Sequence, residues 1–262
     1  MNATYRELPI LFSGEMVRAI REGRKTQTRR VINPQPTEDL RWSGWVISSS
    51  NKKHVGCASW ETQRTIDTGF SRDDGLYIKC PYGNPGDQLW VRETWRIVGW
   101  HDGEPLLLEY KDGVQMEEPG DSSDYDENKY MQYYIDCSDD MNRAGVRLDV
   151  DKNEYRCDEY GSIPTRWRSS IFMPRWASRI QLEVISIKVE RVQDVTEDDA
   201  KAEGVWGLDE PYQGVGDLPT DRFRDLWDSI NGNRKDKSGK LLPYSWEDNP
   251  WVFVVEFERI KP

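Results

Sequence analysis

The sequence predicts an α+β fold in which a mixed β-barrel carries short flanking helices and a large insertion. Apolar residues alternate with polar ones from Ile180 to Val184 and continue on the shifted phase from Ile185 to Val189, which indicates a long strand with a β-bulge. Residues 251–260 are rich in valine and phenylalanine and predict a buried strand. Because a bulge bends a strand, this pattern fits a sheet that closes into a barrel.

The remaining elements are predicted from their end signals. Helices are expected from Ser13 to Gly23, from Thr196 to Gly204 and from Thr220 to Gly232, each between a capping residue and a closing glycine. Turn-forming residues at 81–87 precede an alternating segment at 88–95, which predicts a turn followed by a strand.

The composition argues against an extended membrane-spanning segment. Charged residues make up 32% of the 262 positions, and no run of about 20 apolar residues occurs. The first 16 residues lack a basic region followed by a long apolar one, so we expect no export signal, no membrane partner and a cytoplasmic location.

No metal or cofactor site is predicted. The two histidines, His54 and His101, and the four cysteines are scattered, and no CxxC pair occurs. We interpret the cysteines as cytosolic thiols.

The negative charge is concentrated in one stretch. Residues 101–160 contain 18 acidic and 6 basic side chains, a balance of −12, whereas the whole chain carries −11. The rest of the chain is therefore nearly neutral. We interpret residues 1–262 as a single domain with insertions at 38–76 and 101–165, the first a polar, irregular excursion and the second a flap or subdomain.

Several separated segments, taken in order, resemble one known family. The run from Ala19 to Arg29 resembles the ASCH signature, in which a helix ends in G-x-K-T, and the turn Pro85–Asp87 resembles its second element. The run Thr196–Gly204 resembles the T-x-x-x-A-x-x-E-G helix of that family, and Val252–Phe257 resembles its closing strand. With Met173–Arg179 before the long strand, the chain is similar to the longer ASCH proteins of phages and prophages.

The resemblance implies a PUA-like barrel, from a superfamily whose members bind RNA or modified bases. One small bacterial branch hydrolyses acylated cytidines without a cofactor. Its functional lysine, threonine and glutamate correspond by motif position to Lys25, Thr28 and Glu203. For a phage-encoded chain, the expected location is the cytoplasm of the host cell.

These three residues also form a coherent set by their chemistry. Glu203 lies at a helix C-terminus, where the helix dipole opposes a carboxylate, so a role in proton transfer would explain its placement. Positive neighbours would lower the pKa of Lys25, which could then act as base toward a Thr28 nucleophile. The alternative interpretation is that Glu203 is an ordinary surface residue. In the same way, Arg24, Lys25, Arg29 and Arg30 would be the solvent-exposed face of a strand.

Four further residues are candidates for substrate binding. Arg29 could stabilise an oxyanion or hold a phosphate, with Arg24 beside it. Trp90 and Arg92 offer stacking and cation–π surfaces for a flat base. Aromatic residues at strand spacing also occur in protein cores, so a core position for Trp90 is the alternative.

A second basic segment predicts nucleic-acid binding. It contains Arg166, Arg168, Arg175 and Arg179, with aromatic residues between them. The alternative is that these arginines pair with the acidic insertion.

Three functions therefore stay open from sequence. The chain could be an amidohydrolase of N-acylated nucleosides, with a nucleoside-like small molecule as its partner. It could instead bind RNA or modified nucleic acid without catalysis. The third hypothesis is a phage accessory protein whose acidic insertion contacts a host protein.

Overall fold

The computed structural model describes residues 5–68, 75–99, 106–117, 127–149, 154–155, 164–205 and 218–260. By its internal contacts the chain divides into two compact units. Unit 1 consists of Met1–Leu8, Ala19–Leu89 and Leu182–Pro262. Unit 2 consists of Pro9–Arg18 and Trp90–Gln181.

Helices and strands are both well represented, which confirms the mixed α+β class. The α-helices are α1 (Gly14–Arg21), α2 (Gln63–Thr68), α3 (Glu127–Arg143), α4 (Glu197–Ala202) and α5 (Pro219–Asn231). The strands are β1 (Glu7–Leu11), β2 (Gln27–Val31), β3 (Leu40–Trp45), β4 (Cys57–Thr62), β5 (Leu76–Lys79), β6 (Gln88–Arg92), β7 (Trp95–Gly99), β8 (Leu107–Tyr110), β9 (Gln115–Glu117), β10 (Leu148–Asp149), β11 (Glu154–Tyr155), β12 (Gln181–Arg191) and β13 (Trp251–Arg259). Within the described ranges, no helix is long and apolar enough to cross a bilayer.

The largest sheet has the strand order β1-β6-β12-β13-β2. β13 is antiparallel to both β12 and β2, and the register of β12 shifts between Val184 and Ser186. This shift confirms the predicted bulge. The expected closure into a barrel is not seen among the described strands, because β1 and β2 are the two edges of the sheet and no ladder joins them.

The apolar stripe of α5 covers part of this sheet in unit 1. Phe223 and Trp227 share a buried cluster with Val252 and Val254 of β13. The helix begins at Pro219, one residue before the predicted cap Thr220. A proline suits the first helical position, because the backbone N–H that it lacks would have no partner within the helix.

Residues 38–76, which we expected to be irregular, contain β3 and β4, which form an antiparallel sheet with β5 in the order β3-β4-β5. Trp60 is fully buried in this sheet, and Trp42 is partly buried beside it. The ring centroids of Trp42 and Trp60 lie 5.0 Å apart, and Trp60 lies 5.8 Å from Trp251 of β13. The polar character of the segment therefore concealed strands that are stabilised by indole contacts.

Unit 2 contains a three-stranded antiparallel sheet, β7-β8-β9, and the long helix α3. Trp95, Leu108 and Trp176 lie in its buried core, to which α3 contributes Cys137. The hydroxyl of Tyr110 donates a 2.7 Å hydrogen bond to the carbonyl of Ala177. The described parts of the predicted insertion 101–165 are thus ordered elements with a core.

Three cysteines lie in the described residues, and all three are buried, free thiols: Cys57, Cys80 and Cys137. Burial raises the pKa of Cys80 and of Cys137 to about 11. Cys157 and His101 lie outside the described residues.

The turn before β6 is held by a network of hydrogen bonds at Asp87. Its carboxylate accepts bonds from the backbone N–H of Arg6 and of Asn84, both 2.9 Å long, and it forms an ion pair with the Arg6 guanidinium. Burial alone would raise the pKa of Asp87, but these donors lower it.

The lowered pKa of Asp87 predicts sensitivity to acid. A carboxyl whose folded pKa lies below its unfolded value stabilises the protein above about pH 4, and this stabilisation is lost as the pH falls through the folded pKa. We expect Asp87→Asn to destabilise the protein by about 1–2 kcal/mol at pH 7 and to reduce the loss of stability between pH 5 and pH 3. Urea unfolding across this range measures both effects. Asp225→Asn, at an exposed site on α5, should keep the wild-type pH profile, and an Asp87→Asn profile parallel to wild type would contradict the prediction.

Candidate functional site

Two separated segments of unit 1 meet at Lys25 and Glu203. After α1, Gly23 has φ = 75°, and this left-handed conformation turns the chain toward β2. Lys25 then pairs with Glu203 in an isolated antiparallel bridge. The second segment is α4, whose start is fixed by the predicted capping box, in which Thr196 and Asp199 each accept a hydrogen bond from the other's backbone N–H.

Gly204 permits the close approach of the two segments. Its φ is 81°, and a Cβ added at this position would lie 2.9 Å from the Cβ of Ala19 and 2.9 Å from the Cβ of Lys25. Both the conformation and the space exclude a side chain. The glycine that follows Glu203 in the motif is therefore required for the contact between α4 and the segment that carries Lys25.

The Glu203 carboxylate lies between two buried cations. The Lys25 ammonium donates to Glu203 Oε2 and to the Glu203 carbonyl, each at 2.8 Å. Arg29 Nη1 donates to Glu203 Oε1 at 3.3 Å. The exposed fractions of the Lys25, Glu203 and Arg29 side chains are 0%, 5% and 1%. Three of the residues predicted for catalysis or substrate binding are thus in direct contact.

Two carboxylates that the sequence analysis did not select hold Arg29 in place. Glu190 Oε1 accepts from Arg29 Nε at 3.0 Å and from Nη2 at 2.6 Å, and Asp199 pairs with Nη2 at 3.3 Å. The Gln27 amide donates to the Asp199 carbonyl and side chain. The spacing of Lys25, Gln27 and Arg29 was the available signal, because residues two apart on a strand lie on the same face.

Arg24 lies at the same end of α4. Its Nη1 donates to the carbonyl of Gly204 at 3.0 Å, and its guanidinium also pairs with Glu22. The side chain therefore covers the C-terminus of α4, where a cation is favourable.

Burial lowers the pKa of Lys25, and the nearby charges of Arg30 and Arg29 lower it further, whereas Glu203 opposes the shift. The sequence indicated this direction from the positive neighbours alone. The larger cause, burial of the amine, depends on the contact with α4 and could not be seen from the local sequence.

Thr28 does not contact the Lys25–Glu203 pair. It lies in β2 opposite Val255 of β13 and is buried. Strand alternation points its Cβ to the face opposite that of Arg29. Within the part of the chain that the structure describes, its hydroxyl makes no hydrogen bond to Lys25 or Glu203. The structure thus brings together two of the three predicted catalytic residues.

Trp90 and Arg92 belong to unit 2 and contact each other. The Arg92 guanidinium carbon lies 4.6 Å from the centroid of the Trp90 ring, in a cation–π arrangement. Trp90 is also buried, which agrees with the alternative interpretation that it is a core residue. Their role in substrate binding stays a prediction.

The four arginines predicted for nucleic-acid binding have different surroundings. Arg166 and Arg168 both bond to Asp136 and line a cavity of unit 2. Arg179 pairs with Glu93 at 2.7 Å and with Asp112 at 2.9 Å. Asp112 and Asp136 belong to the acidic stretch 101–160. Arg166, Arg168 and Arg179 therefore pair with the acidic insertion, as the alternative interpretation expected. Arg175 is half-buried.

No group of three or more histidine, cysteine, aspartate or glutamate residues in the described ranges is arranged to hold a metal ion. The fold and the site thus define an α+β protein with a buried lysine–glutamate–arginine cluster. Comparison with protein-family models, with curated proteins and with solved structures gave no match.

Proposed function

We propose that the protein binds a nucleoside-like molecule at the Lys25–Glu203 cluster and hydrolyses its N-acyl amide bond without a metal. The observation that carries the proposal is the buried pair itself, with its 2.8 Å hydrogen bond at the C-terminus of a short helix. Buried charges are costly for stability, and groups with a shifted pKa, such as Lys25, are concentrated at functional sites. The resemblance to the ASCH family supports the same residues and a PUA-like origin for the sheet of β2, β12 and β13.

The pair can move a proton in both directions. Burial lowers the pKa of Lys25, so the neutral amine becomes accessible and can accept a proton from the attacking hydroxyl. Glu203 in its carboxylic acid form then donates a proton to the leaving nitrogen. Because the two groups already share a hydrogen bond, one proton transfer between them converts the ion pair into this neutral form.

Because Thr28 faces away from Arg29 in β2, water is the nucleophile that the geometry favours. The resemblance implies Thr28 instead, and the reaction would then take place in two steps. The Thr28 oxygen bonds to the acyl carbon while the C–N bond breaks, which gives a threonine ester and the free amine of the nucleoside. Water then attacks the ester, releases the carboxylic acid and restores the hydroxyl. If water attacks directly, the same proton transfers suffice and no ester forms. Arg29, beside Glu203, is the group that would stabilise the oxyanion.

The test is hydrolysis of N4-acetylcytidine and a panel of other acylated nucleosides, followed by chromatography. We expect Glu203→Gln to reduce turnover by about a hundredfold or more. Thr28→Val removes the hydroxyl at nearly constant volume, whereas Thr28→Ser retains it. Loss of turnover in the valine variant alone identifies Thr28 as the nucleophile, and equal turnover in both variants identifies water.

No turnover by folded wild-type protein across the panel would overturn the enzymatic proposal. The cluster would then be an internal ion network, and non-catalytic recognition of a base would become the favoured function. On the resemblance to phage and prophage proteins, we place either activity in the cytoplasm of the host cell. Contact between the acidic stretch and a host protein stays a prediction, because residues 101–160 are described only in part.

A further inference from the structure

Unit 2 contains a cavity of about 260 Å³ that takes no part in the proposed hydrolysis. Its lining includes four aromatic side chains and two arginines: Trp95, Tyr133, Trp167, Phe172, Arg166 and Arg168. The backbones of Trp95 and Arg168 are hydrogen-bonded in both directions, at 2.7 and 3.3 Å, so β7 and the 166–169 segment are held side by side. An isolated β-bridge therefore joins two walls of the cavity.

Two donors of the cavity-lining residues lack an acceptor. Arg168 Nη2 and Trp95 Nε1 are both buried, and neither has a hydrogen-bond partner among the described residues. Buried N–H groups are nearly always bonded, because an unpaired one retains the cost of leaving water. Neither atom has accessible surface, so a ligand oxygen would reach it only if the neighbouring side chains move.

The two arginines of the cavity share an acidic partner. Asp136 Oδ2 accepts from Arg166 at 2.5 Å and from Arg168 at 3.2 Å, so one carboxylate faces two guanidinium groups. Asp140 also pairs with Arg166, at 3.7 Å, but it is shared with Arg143 at 3.1 Å. These five side chains carry three positive and two negative charges, and the surplus positive charge includes Arg143, which is 65% exposed and does not line the cavity.

Trp167 adds an accessible aromatic surface. Its side chain is 36% exposed, and two cations lie over its ring, Arg96 at 4.7 Å and Lys111 at 4.1 Å from the centroid. Phe172 is still more exposed. An exposed tryptophan beside cations can stack on a planar ring while the cations attract its negative charge.

We propose that this cavity binds a nucleotide, with the base among the aromatic side chains and the phosphate at the arginines. The volume suits one base with its sugar, since it falls just below the roughly 300 Å³ at which pockets for drug-sized ligands begin. The ligand is either a free nucleotide or a single nucleotide of a nucleic-acid strand. The site is independent of the amidohydrolase proposal, because all of its residues belong to unit 2.

Titration calorimetry of the full chain tests this proposal. The probes are the four ribonucleoside monophosphates, the corresponding nucleosides, inorganic phosphate and a ten-nucleotide single strand. We expect Trp167→Ala and Arg168→Gln each to weaken nucleotide binding about tenfold or more. Trp45→Ala is the matched control, since Trp45 is a tryptophan of unit 1 with 37% exposure, and Arg224→Gln is the control for loss of an arginine. Both controls should bind as wild type.

The outcomes separate the possible sources of the ligand. Binding of monophosphates supports a free nucleotide, and binding of the strand alone supports a nucleic-acid partner, provided that Trp167→Ala weakens it. The proposal is overturned if no probe binds at millimolar concentration, if Trp45→Ala weakens binding as much as Trp167→Ala, or if phosphate alone accounts for the affinity. None of these results depends on turnover of acylated nucleosides, so the two proposals can fail separately.

Discussion

Replacement of Lys25 by methionine is expected to lower the free energy of unfolding by about 3 kcal/mol or more. The substitution keeps a long unbranched side chain but removes the donor to both Glu203 Oε2 and the Glu203 carbonyl. Arg29, at 3.3 Å, then remains as the cation nearest the buried carboxylate. Breaking one partner of a buried ion pair is costly because the remaining charge stays away from water.

Chemical denaturation measures this loss, and hydrogen exchange at the Phe257 amide, which bonds to the Thr26 carbonyl, assigns it to unit 1. Lys201→Met is the matched control, because Lys201 pairs with Asp198 on the surface of α4 and such pairs contribute little. The double variant Lys25→Met/Glu203→Leu should recover part of the lost stability, since it leaves no unpaired carboxylate. If Lys25→Met and Lys201→Met lower the free energy of unfolding equally, the burial of the Lys25–Glu203 pair is not the cause of the loss.

A comparable loss is expected for Arg179→Met in unit 2. Arg179 donates to both carboxylate oxygens of Glu93, at 2.8 and 2.7 Å, and to Asp112 at 2.9 Å. Its guanidinium carbon also lies 3.9 Å from the centroid of the Tyr110 ring. Glu93 is buried, so removal of the guanidinium would leave its carboxylate desolvated, at a cost of about 3 kcal/mol or more.

Hydrogen exchange at the Val91 amide, which bonds to the Ile180 carbonyl, reports this change within unit 2. The control is Arg143→Met. This change removes an exposed guanidinium that pairs with Asp140, and Asp140 still accepts a hydrogen bond from the Arg166 amide. A substantial loss for Arg179→Met with little change for Arg143→Met would support a structural role for Arg179. If Arg179→Met unfolds as wild type, Arg179 is instead available for the nucleic-acid binding that the sequence predicted.

Short sequence patterns correctly predicted the caps of α1 and α4 and the β-bulge. Ser13 caps α1 through a bond from the Met16 amide, Thr196 and Asp199 form the capping box, and Gly204 follows α4 with a positive φ. The shifted alternation after Val184 correctly placed the bulge. In each case the residues that determine the conformation lie within a few positions of one another.

The sequence was less informative where stability comes from distant contacts. The sheet of β3, β4 and β5 depends on tryptophan packing, including Trp251, which lies far along the chain. The burial of Lys25 depends on Glu203, and Arg29 depends on Glu190. Motif positions identified Lys25, Arg29 and Glu203, and the two-residue alternation of the predicted strand also indicated that Thr28 lies on the other face from Arg29.

The order of strands has a consequence for synthesis of the protein. β13 lies between β12 and β2, so β2 is made well before its partner, because more than 200 residues separate Val31 from Trp251. At ~5–20 residues per second, β2 waits on the order of ten seconds or more for this partner. A nascent strand with unpaired backbone groups is prone to aggregate, and charged side chains reduce that tendency. We therefore expect the polar sequence of β2, with Arg29 and Arg30, to limit aggregation of the nascent segment until β13 is made.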